Sequence, residues 1–372
     1  MLQTLEDLLL KLSLLGVQQV LCKPLAENDN SKQQIYLGGS FDVLQMLPFE
    51  QIKPYNTGKV PNFKAALRFY WLAGDGKSHL APYTQLILYP KYPEVRLSGF
   101  LRGCASAPNE FLRPIPQEQR QFNNGPDGRM LLMGVSRDRS VYAFLAPAAS
   151  AMSQQLQQLI SNNTHPKKGV FTVIPATATD TRQQLLNKLK EIHLLGWHPS
   201  MRLNSAGVVQ PYIAKNGGGY TLEALLGVIP NGRSEPDYLG WEIKGYSSDR
   251  ITLMTPEPDA GFYGQAGVKA FVQQYGHPTA NDTLYFTGLH RVGNRNDSTG
   301  LTLILDGYDP VQQKITDVNG ALQLMTDNGQ PAASWTFAKL MDKWSKKHAQ
   351  AAFVRYSSNK ASLPSFHYES PV

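Results

Sequence analysis

The hydrophobic pattern of this chain changes period part-way along, so no single sheet or helical bundle satisfies all of it. Five short runs rich in β-branched and aromatic residues come first, at 66–72, 84–89, 94–101, 129–135 and 141–145. Gly, Pro, Asn and Asp punctuate them, as expected for strands of a small barrel or sandwich. Ser136-Arg137-Asp138-Arg139-Ser140 reads as the hairpin loop between the last two. Further on, Leu185, Leu186, Leu189, Ile192 and Leu195 recur at helical spacing, and Gly196 stops that helix. Beyond it, helices expected at 221–226, 267–275 and 335–347 alternate with strands at 238–244, 250–254, 283–288, 301–305 and 351–356, a mixed α/β layout. Helices are also expected at 1–21 and 150–158. A polar breaker cluster at 161–169 separates the two patterns. The expected organisation is a mostly-β domain over 1–165, a linker over 166–180 and an α/β domain over 181–372.

A chain of 372 residues, 42% of them apolar, suits two or three domains with real cores. No apolar run reaches the ~18–20 residues of a membrane span. The best candidate, 8–15, is interrupted by Lys11 and preceded by Glu6-Asp7, so it also fails as a signal peptide. Cys22 and Cys104 are the only cysteines; they give neither a disulfide framework nor a zinc site, and a reduced, cytoplasmic protein is expected. The formal charge is +7. That shifts the balance toward a polyanionic partner, since each neutralised phosphate releases condensed counterions, although many soluble proteins are as basic.

The chemistry concentrates in Pro236-Asp237-Tyr238-Leu239-Gly240-Trp241-Glu242-Ile243-Lys244. Residues two apart share a face of a strand, so Glu242 and Lys244 point the same way while Ile243 points into the core. Asp237 sits at the strand's entrance, where a bend brings its carboxylate beside Glu242. Two such carboxylates suit Mg²⁺, completed by waters and a phosphate oxygen. Lys244 would then orient a water and offset charge developing on a phosphoryl group. Upstream, Gly217-Gly218-Gly219 allows close backbone approach to a ligand, and the helix after it carries Glu223, a third acid for the site or a solvated helix glutamate. On the short pattern alone, the alternative is a surface strand with an i, i+2 Glu–Lys pair. The Pro-Asp entry, the apolar Leu239, Trp241 and Ile243, and the acid-bearing helix upstream weigh against it.

Taken together, 218–227, Pro230-Asn231-Gly232 and 236–244 resemble the MvaI/BcnI family of type II restriction endonucleases, over roughly 180–372. The resemblance implies a MutH-like PD-(D/E)xK fold, a mixed sheet flanked by helices. It also implies a monomeric, Mg²⁺-dependent enzyme that cuts double-stranded DNA at a short C/G-rich site, with CCWGG favoured. By position, Asp237, Glu242 and Lys244 would be catalytic, with Asp237 and Glu242 on the metal and Glu223 in support. His290, Arg291, Arg295 and Arg355 are the candidates for reading bases, since arginine to guanine is the commonest specific contact; for each the alternative is a phosphate-contacting or solvated side chain.

The N-terminal half looks similar to B3-type effector domains, a DNA-binding pseudo-barrel whose two arms would lie at 53–66 and 96–107. Lys59, Asn62, Lys64, Arg96 and Arg102 are the contacts this implies, with ordinary surface charge as the alternative. A B3-like domain ahead of such a nuclease implies type IIE behaviour, in which two DNA sites are bound at once and the second stimulates cleavage. The rival readings are a DNA-binding protein on a dead nuclease fold, against which the intact Asp237, Glu242 and Lys244 argue, and a MutH-like repair nickase.

Overall fold

The computed structural model describes residues 2–116, 118, 127–176, 181–230, 237–248, 251–278, 283–348, 350–359 and 361–370. They form two compact units: one comprises 1–43, 47–176 and 256–342, the other 44–46, 177–255 and 343–372. The expected fold class holds: strands dominate the N-terminal region, and the second unit combines a mixed sheet with helices.

In the first unit, helix Leu5–Leu14 starts at a capping box in which Thr4 and Asp7 satisfy each other's backbone N–H groups. Leu5, Leu8 and Leu12 form its buried stripe. It ends well before residue 21, because Gly16 adopts φ +80° and the chain re-emerges as strand Val17–Pro24. That strand pairs antiparallel with Met130–Ser136 on one side and Phe171–Pro175 on the other, within a seven-stranded sheet. The Met130–Ser136 and Val141–Ala146 strands form the expected hairpin, with Ser136 N–H bonded to Ser140 O. The expected strand at 66–72 is two strands, Asn62–Ala66 and Phe69–Leu72, which belong to different sheets. A second, five-stranded sheet runs Ile35–Gly38, Glu94–Ser98, Gln85–Tyr89, Asn62–Ala66, Ile52–Tyr55. The fully buried Trp71 ties the sheets together: its indole N–H donates to Phe100 O at 2.6 Å.

The expected linker needs correction. Lys167–Lys168 and Phe171–Pro175 are strands of the seven-stranded sheet, and Phe171, Val173 and Ile174 are buried there. The Phe-Thr-Val-Ile run buries too much apolar surface to serve as a tether. The expected 181–372 domain is likewise interrupted, since residues 256–342 carry their own antiparallel sheet. Its strands run Arg295–Asn296, Leu301–Asp306, Ala321–Met325, Pro331–Thr336. Helix Gly261–Tyr275 belongs to the same core, where Phe271, Leu301, Leu324, Ala332 and Ala333 are buried. This helix is kinked at Gly267 (φ +80°). The expected helix 335–347 begins only at Phe337, because Trp335 is still in a strand. Residues 251–254 form no strand, and 283–288 contains only Leu284–Tyr285.

The sheet of the second unit runs His198–Pro199, Ser365–Tyr368, Ala351–Asn359, Glu242–Tyr246. Its last pair is parallel, Glu242 opposite Ala351 through Tyr246 opposite Arg355. Helix Thr181–Leu194 buries Leu185, Leu189 and Ile192, and helix Gly217–Leu225 buries Leu222. They share a core with Ile243, Val354, Phe366 and Tyr368.

One buried ion pair organises the loops of the first unit. Arg129, 1% exposed, meets Asp127 at 2.6 Å and donates to the carbonyls of Leu112, Ala26 (2.8 Å) and Asn28 (3.2 Å). Arg129→Met should leave three carbonyls without the guanidinium donor and the buried Asp127 without its counter-charge, with only the N–H groups of Ile115 and residue 129 on it. The expected loss is about 3–5 kcal/mol in the unfolding free energy of this unit, measured by urea denaturation of the full chain.

Candidate active site

Trp241 and Tyr238 exchange backbone hydrogen bonds across a two-residue turn (2.8 and 3.0 Å) whose central residues, Leu239 and Gly240, have φ of +51° and +87°. Both positive angles mark a type I′ turn. The expected continuous strand 238–244 is thus a tight hairpin followed by the strand Glu242–Tyr246. The Leu-Gly pair permits the reversal, though a leucine at positive φ is strained and asparagine is the commoner choice. Leu239 lies at the half-exposed tip instead of packing beneath the strand. Trp241 does pack against the core.

The reversal brings Asp237 back to the strand, where its Oδ2 accepts from Ile243 N–H at 2.9 Å. Ile243 is buried, so Glu242 and Lys244 face the other way, as alternation requires. Lys244 Nζ lies 3.1 Å from Glu242 Oε1. A second ammonium, Lys347 Nζ, reaches the same oxygen at 3.3 Å. Glu242 is 3% exposed, and its other oxygen, Oε2, is buried without a hydrogen-bond partner.

Helix Gly217–Leu225 supplies Glu223. The three glycines do different work from that expected. A Cβ on Gly218 would lie 2.2 Å from Tyr356 Cζ, and one on Gly217 2.7 Å from Ser200 Oγ. Both therefore serve close packing within the protein. Only Gly219 opens onto free space. Tyr368, fully buried, donates to Gly218 O at 2.7 Å, and Thr221 Oγ1 accepts from Met201 N–H at 3.0 Å. These contacts hold the helix against the sheet and set Glu223 over an open cleft of about 280 Å³. Glu223, Asp237, Glu242, Lys244, Lys347 and Asn216 are among its lining residues.

The electrostatics follow from this geometry. Burial, and then the charges of Asp237 and Glu242, push the Glu223 carboxyl up to about 7. Burial also raises Asp237, against the Ile243 N–H bond that favours its charged form. Two acids held above their ordinary range beside an unpartnered carboxylate oxygen make an anionic cleft short of positive charge. All its donors are hard oxygens, which suit Mg²⁺. Among the described residues, no three His, Cys, Asp or Glu side chains lie close enough to enclose an ion by themselves. The fit is to a cation that keeps several waters and borrows a phosphate oxygen.

The remaining candidates divide by unit. Arg355 is in the second unit, on the strand opposite Tyr246, half-exposed and 3.7 Å from Glu369. His290, Arg291 and Arg295 belong to the first. His290 stacks on Phe286 and bonds Thr299 Oγ1 at 2.8 Å; burial lowers its pKa. Arg291 is exposed. Arg295 is held by Asp327 through two bonds of 3.0 Å; an exposed pair of this kind is weak, screened by solvent and salt, and can exchange for another anion.

In the N-terminal region the first expected arm is a hairpin, Ile52–Tyr55 with Asn62–Ala66. Lys59 is exposed at its loop, and the Lys64 ammonium sits 3.2 Å from the Tyr55 ring centre. Asn62 is a correction: it is buried, donating to Val60 O at 2.9 Å, so it shapes the hairpin from within. Arg96 pairs with Glu94 at 2.8 Å, and Arg102 lies over Tyr83. Lys347 was missed in sequence because its neighbours Lys343 and Lys346 make the stretch read as a solvated or phosphate-facing basic face. The signal available was its place four residues before the β-rich run that starts at Ala351.

A family model described as the MvaI/BcnI restriction endonuclease family matches residues 186–371, half of the chain. No curated protein matches the sequence. Similar solved structures include the restriction endonuclease MvaI in complex with its cognate DNA substrate, at 18% identity and TM-score 0.40, covering 52% of this chain and 74% of that one. They also include the B3 domain of the UbaLAI restriction endonuclease with cognate DNA, at 15% identity and TM-score 0.26, covering 46% and 95%. The matched segment contains Glu223, Asp237, Glu242, Lys244 and Lys347, and the chain belongs to the MvaI/BcnI restriction endonuclease family.

Proposed function

We propose that the protein is a type II restriction endonuclease that hydrolyses phosphodiester bonds in double-stranded DNA with Mg²⁺ at the 237–244 cleft. The observation that carries this reading is Glu242. It is a buried carboxylate with one oxygen shared by two lysines and the other unpartnered, set beside Asp237 in an open anionic cleft. Asp237 and Glu242 would hold the ion. When bound, the ion polarises a phosphoryl oxygen and lowers the pKa of a water. Lys244 would orient a water for attack and offset the charge that builds on the phosphoryl oxygens. Glu223, over the same cleft, takes part through its charge.

The proposed target is a short C/G-rich site, CCWGG, cut by a monomer. Arg291, Arg295, His290 and Arg355 are the proposed readers of bases. The N-terminal region is proposed as a B3-like effector that binds a second site, which would make the enzyme type IIE. The exposed hairpin bearing Lys59 and Lys64, together with Arg96 and Arg102, is its proposed DNA contact.

Incubation of plasmid and phage DNA with Mg²⁺, followed by sequencing of the ends, tests the activity and maps the site. Asp237→Ala and Lys244→Ala should each lower cleavage by about 10²–10³-fold or more while leaving gel-shift binding largely intact. Wild-type turnover in either variant refutes the assignment. The full chain should cut a two-site plasmid faster than a one-site plasmid, and a chain lacking residues 1–176, so that no strand of the N-terminal sheet is left behind, should lose that difference. Equal rates for the full chain sink the effector proposal.

A stability measurement checks the electrostatics independently. Glu223 titrates near 7 when folded, above its ordinary 4.5. The native state therefore binds more protons than the unfolded one across that window. In EDTA, the contribution from Glu223 should be full below about pH 4.5 and fade as pH rises through 7. The stability of the wild type relative to Glu223→Gln should fall over the same range; a pH-independent difference contradicts the cleft's proposed charge balance.

A further inference from the structure

Helix Phe337–Lys347 ends inside the cleft because the sheet leaves it no other course. Strand Ala351–Asn359 runs parallel to Glu242–Tyr246 with Ala351 opposite Glu242, and Glu242 N–H donates to Gln350 O at 2.8 Å. The residues just before 350 must therefore lie at the entrance of the Glu242 strand. Two contacts fix the helix end there. His348 bonds Leu253 O at 2.7 Å, and its ring stacks on Trp344 with centroids 4.3 Å apart. The last turn, at the electronegative end of the helix, favours a cation. Lys347 occupies it.

We propose that Lys347 is a second active-site lysine and that it grips a non-bridging oxygen of the scissile phosphate. The proposal rests on the nuclease reading above and deepens it. Lys244 already serves Glu242 Oε1 at 3.1 Å, so Lys347, at 3.3 Å from the same atom, is the second ammonium on one acceptor. An ammonium has three donors; Glu242 accounts for one, and no other bond holds the group among the described residues. The side chain is 23% exposed and lines the open cleft, so a phosphate can reach it. The two lysines also differ in mounting. Lys244 is fixed by strand alternation two residues from Glu242, whereas Lys347 arrives on a separate element. Lys244 is thus placed to keep its bond to the carboxylate while its remaining donors serve the water, and Lys347 to turn to a non-bridging phosphate oxygen. Three carboxylates face two ammonium groups in the cleft. A divalent cation on Asp237 and Glu242 would tip that balance to positive, which favours release of one lysine to an incoming anion.

The test uses the full chain and a fluorescent duplex carrying the mapped cleavage site, with Ca²⁺ in place of Mg²⁺ so that the oxygen site is filled while binding is read before cleavage. Lys347→Met and Lys347→Gln should each weaken binding by about 10-fold and make the slope of log affinity against log salt shallower by about 1. Lys347→Arg should keep the wild-type slope. On a duplex whose scissile phosphate is replaced by an uncharged methylphosphonate, the difference between wild type and the neutral variants should vanish. Unfolding midpoints of both neutral variants are recorded alongside, so a folded one carries the test if the other fails. An unchanged affinity and slope, with only stability lowered, means that Lys347 merely neutralises Glu242, and the proposal falls while the nuclease reading stands. A persistent difference on the methylphosphonate duplex also overturns it. Failure of the wild type to cut any DNA with Mg²⁺ sinks the nuclease reading itself.

Discussion

Glu242 is the constraint on which the second unit turns. A carboxylate with 3% exposure is held only at a cost of several kcal/mol unless cations answer it. The fold meets that demand from two directions. Lys244 comes from the same strand by simple alternation, and Lys347 comes from the helix that the parallel neighbour delivers to the strand's entrance. Neither satisfies the second oxygen. A site built only for stability would have replaced this arrangement with well-packed apolar residues, which are often as stable or more so. What is gained is a preorganised, charged cleft.

Much of that cleft was legible because it rests on short-range rules. Alternation placed Glu242 and Lys244 on one face and Ile243 in the core, as found. The spacing of Leu185, Leu189 and Ile192 fixed the buried face of its helix. The rest depended on features that local patterns do not encode. The I′ turn was hidden because leucine is a poor residue for it, so 238–244 read as one strand. Lys347 was hidden because its partner is distant in sequence. The Phe171–Pro175 strand was mistaken for linker because the breaker cluster before it looked like a domain boundary, whereas its pairing partner lies at the other end of the region, in Val17–Pro24.

The glycines show how one residue type answers different demands within three positions. Gly217 and Gly218 exist because Ser200 and Tyr356 occupy the space a Cβ would need. Gly219 has no such neighbour and leaves the cleft wall open. The same tight seating of the helix brings Gly219 Cα near Gly245, so the acid-bearing helix and the Glu-x-Lys strand meet with almost no side chain between them. Substrate access and helix placement are set by the same few atoms.

The insertion of residues 256–342 between the two lysine-bearing elements has a consequence for how the molecule comes into being. Glu242 and Lys347 are 105 positions apart, and an entire sheet with its own core lies between them. Loop closure over such a distance is slow unless the intervening segment has already become compact. During synthesis the Glu242 strand has no sheet partner among the described strands until its parallel neighbour Ala351–Asn359 has been made. Lys347 and the pairing strand reach Glu242 only after the whole 256–342 segment has been made, so the cleft cannot be completed before that segment exists.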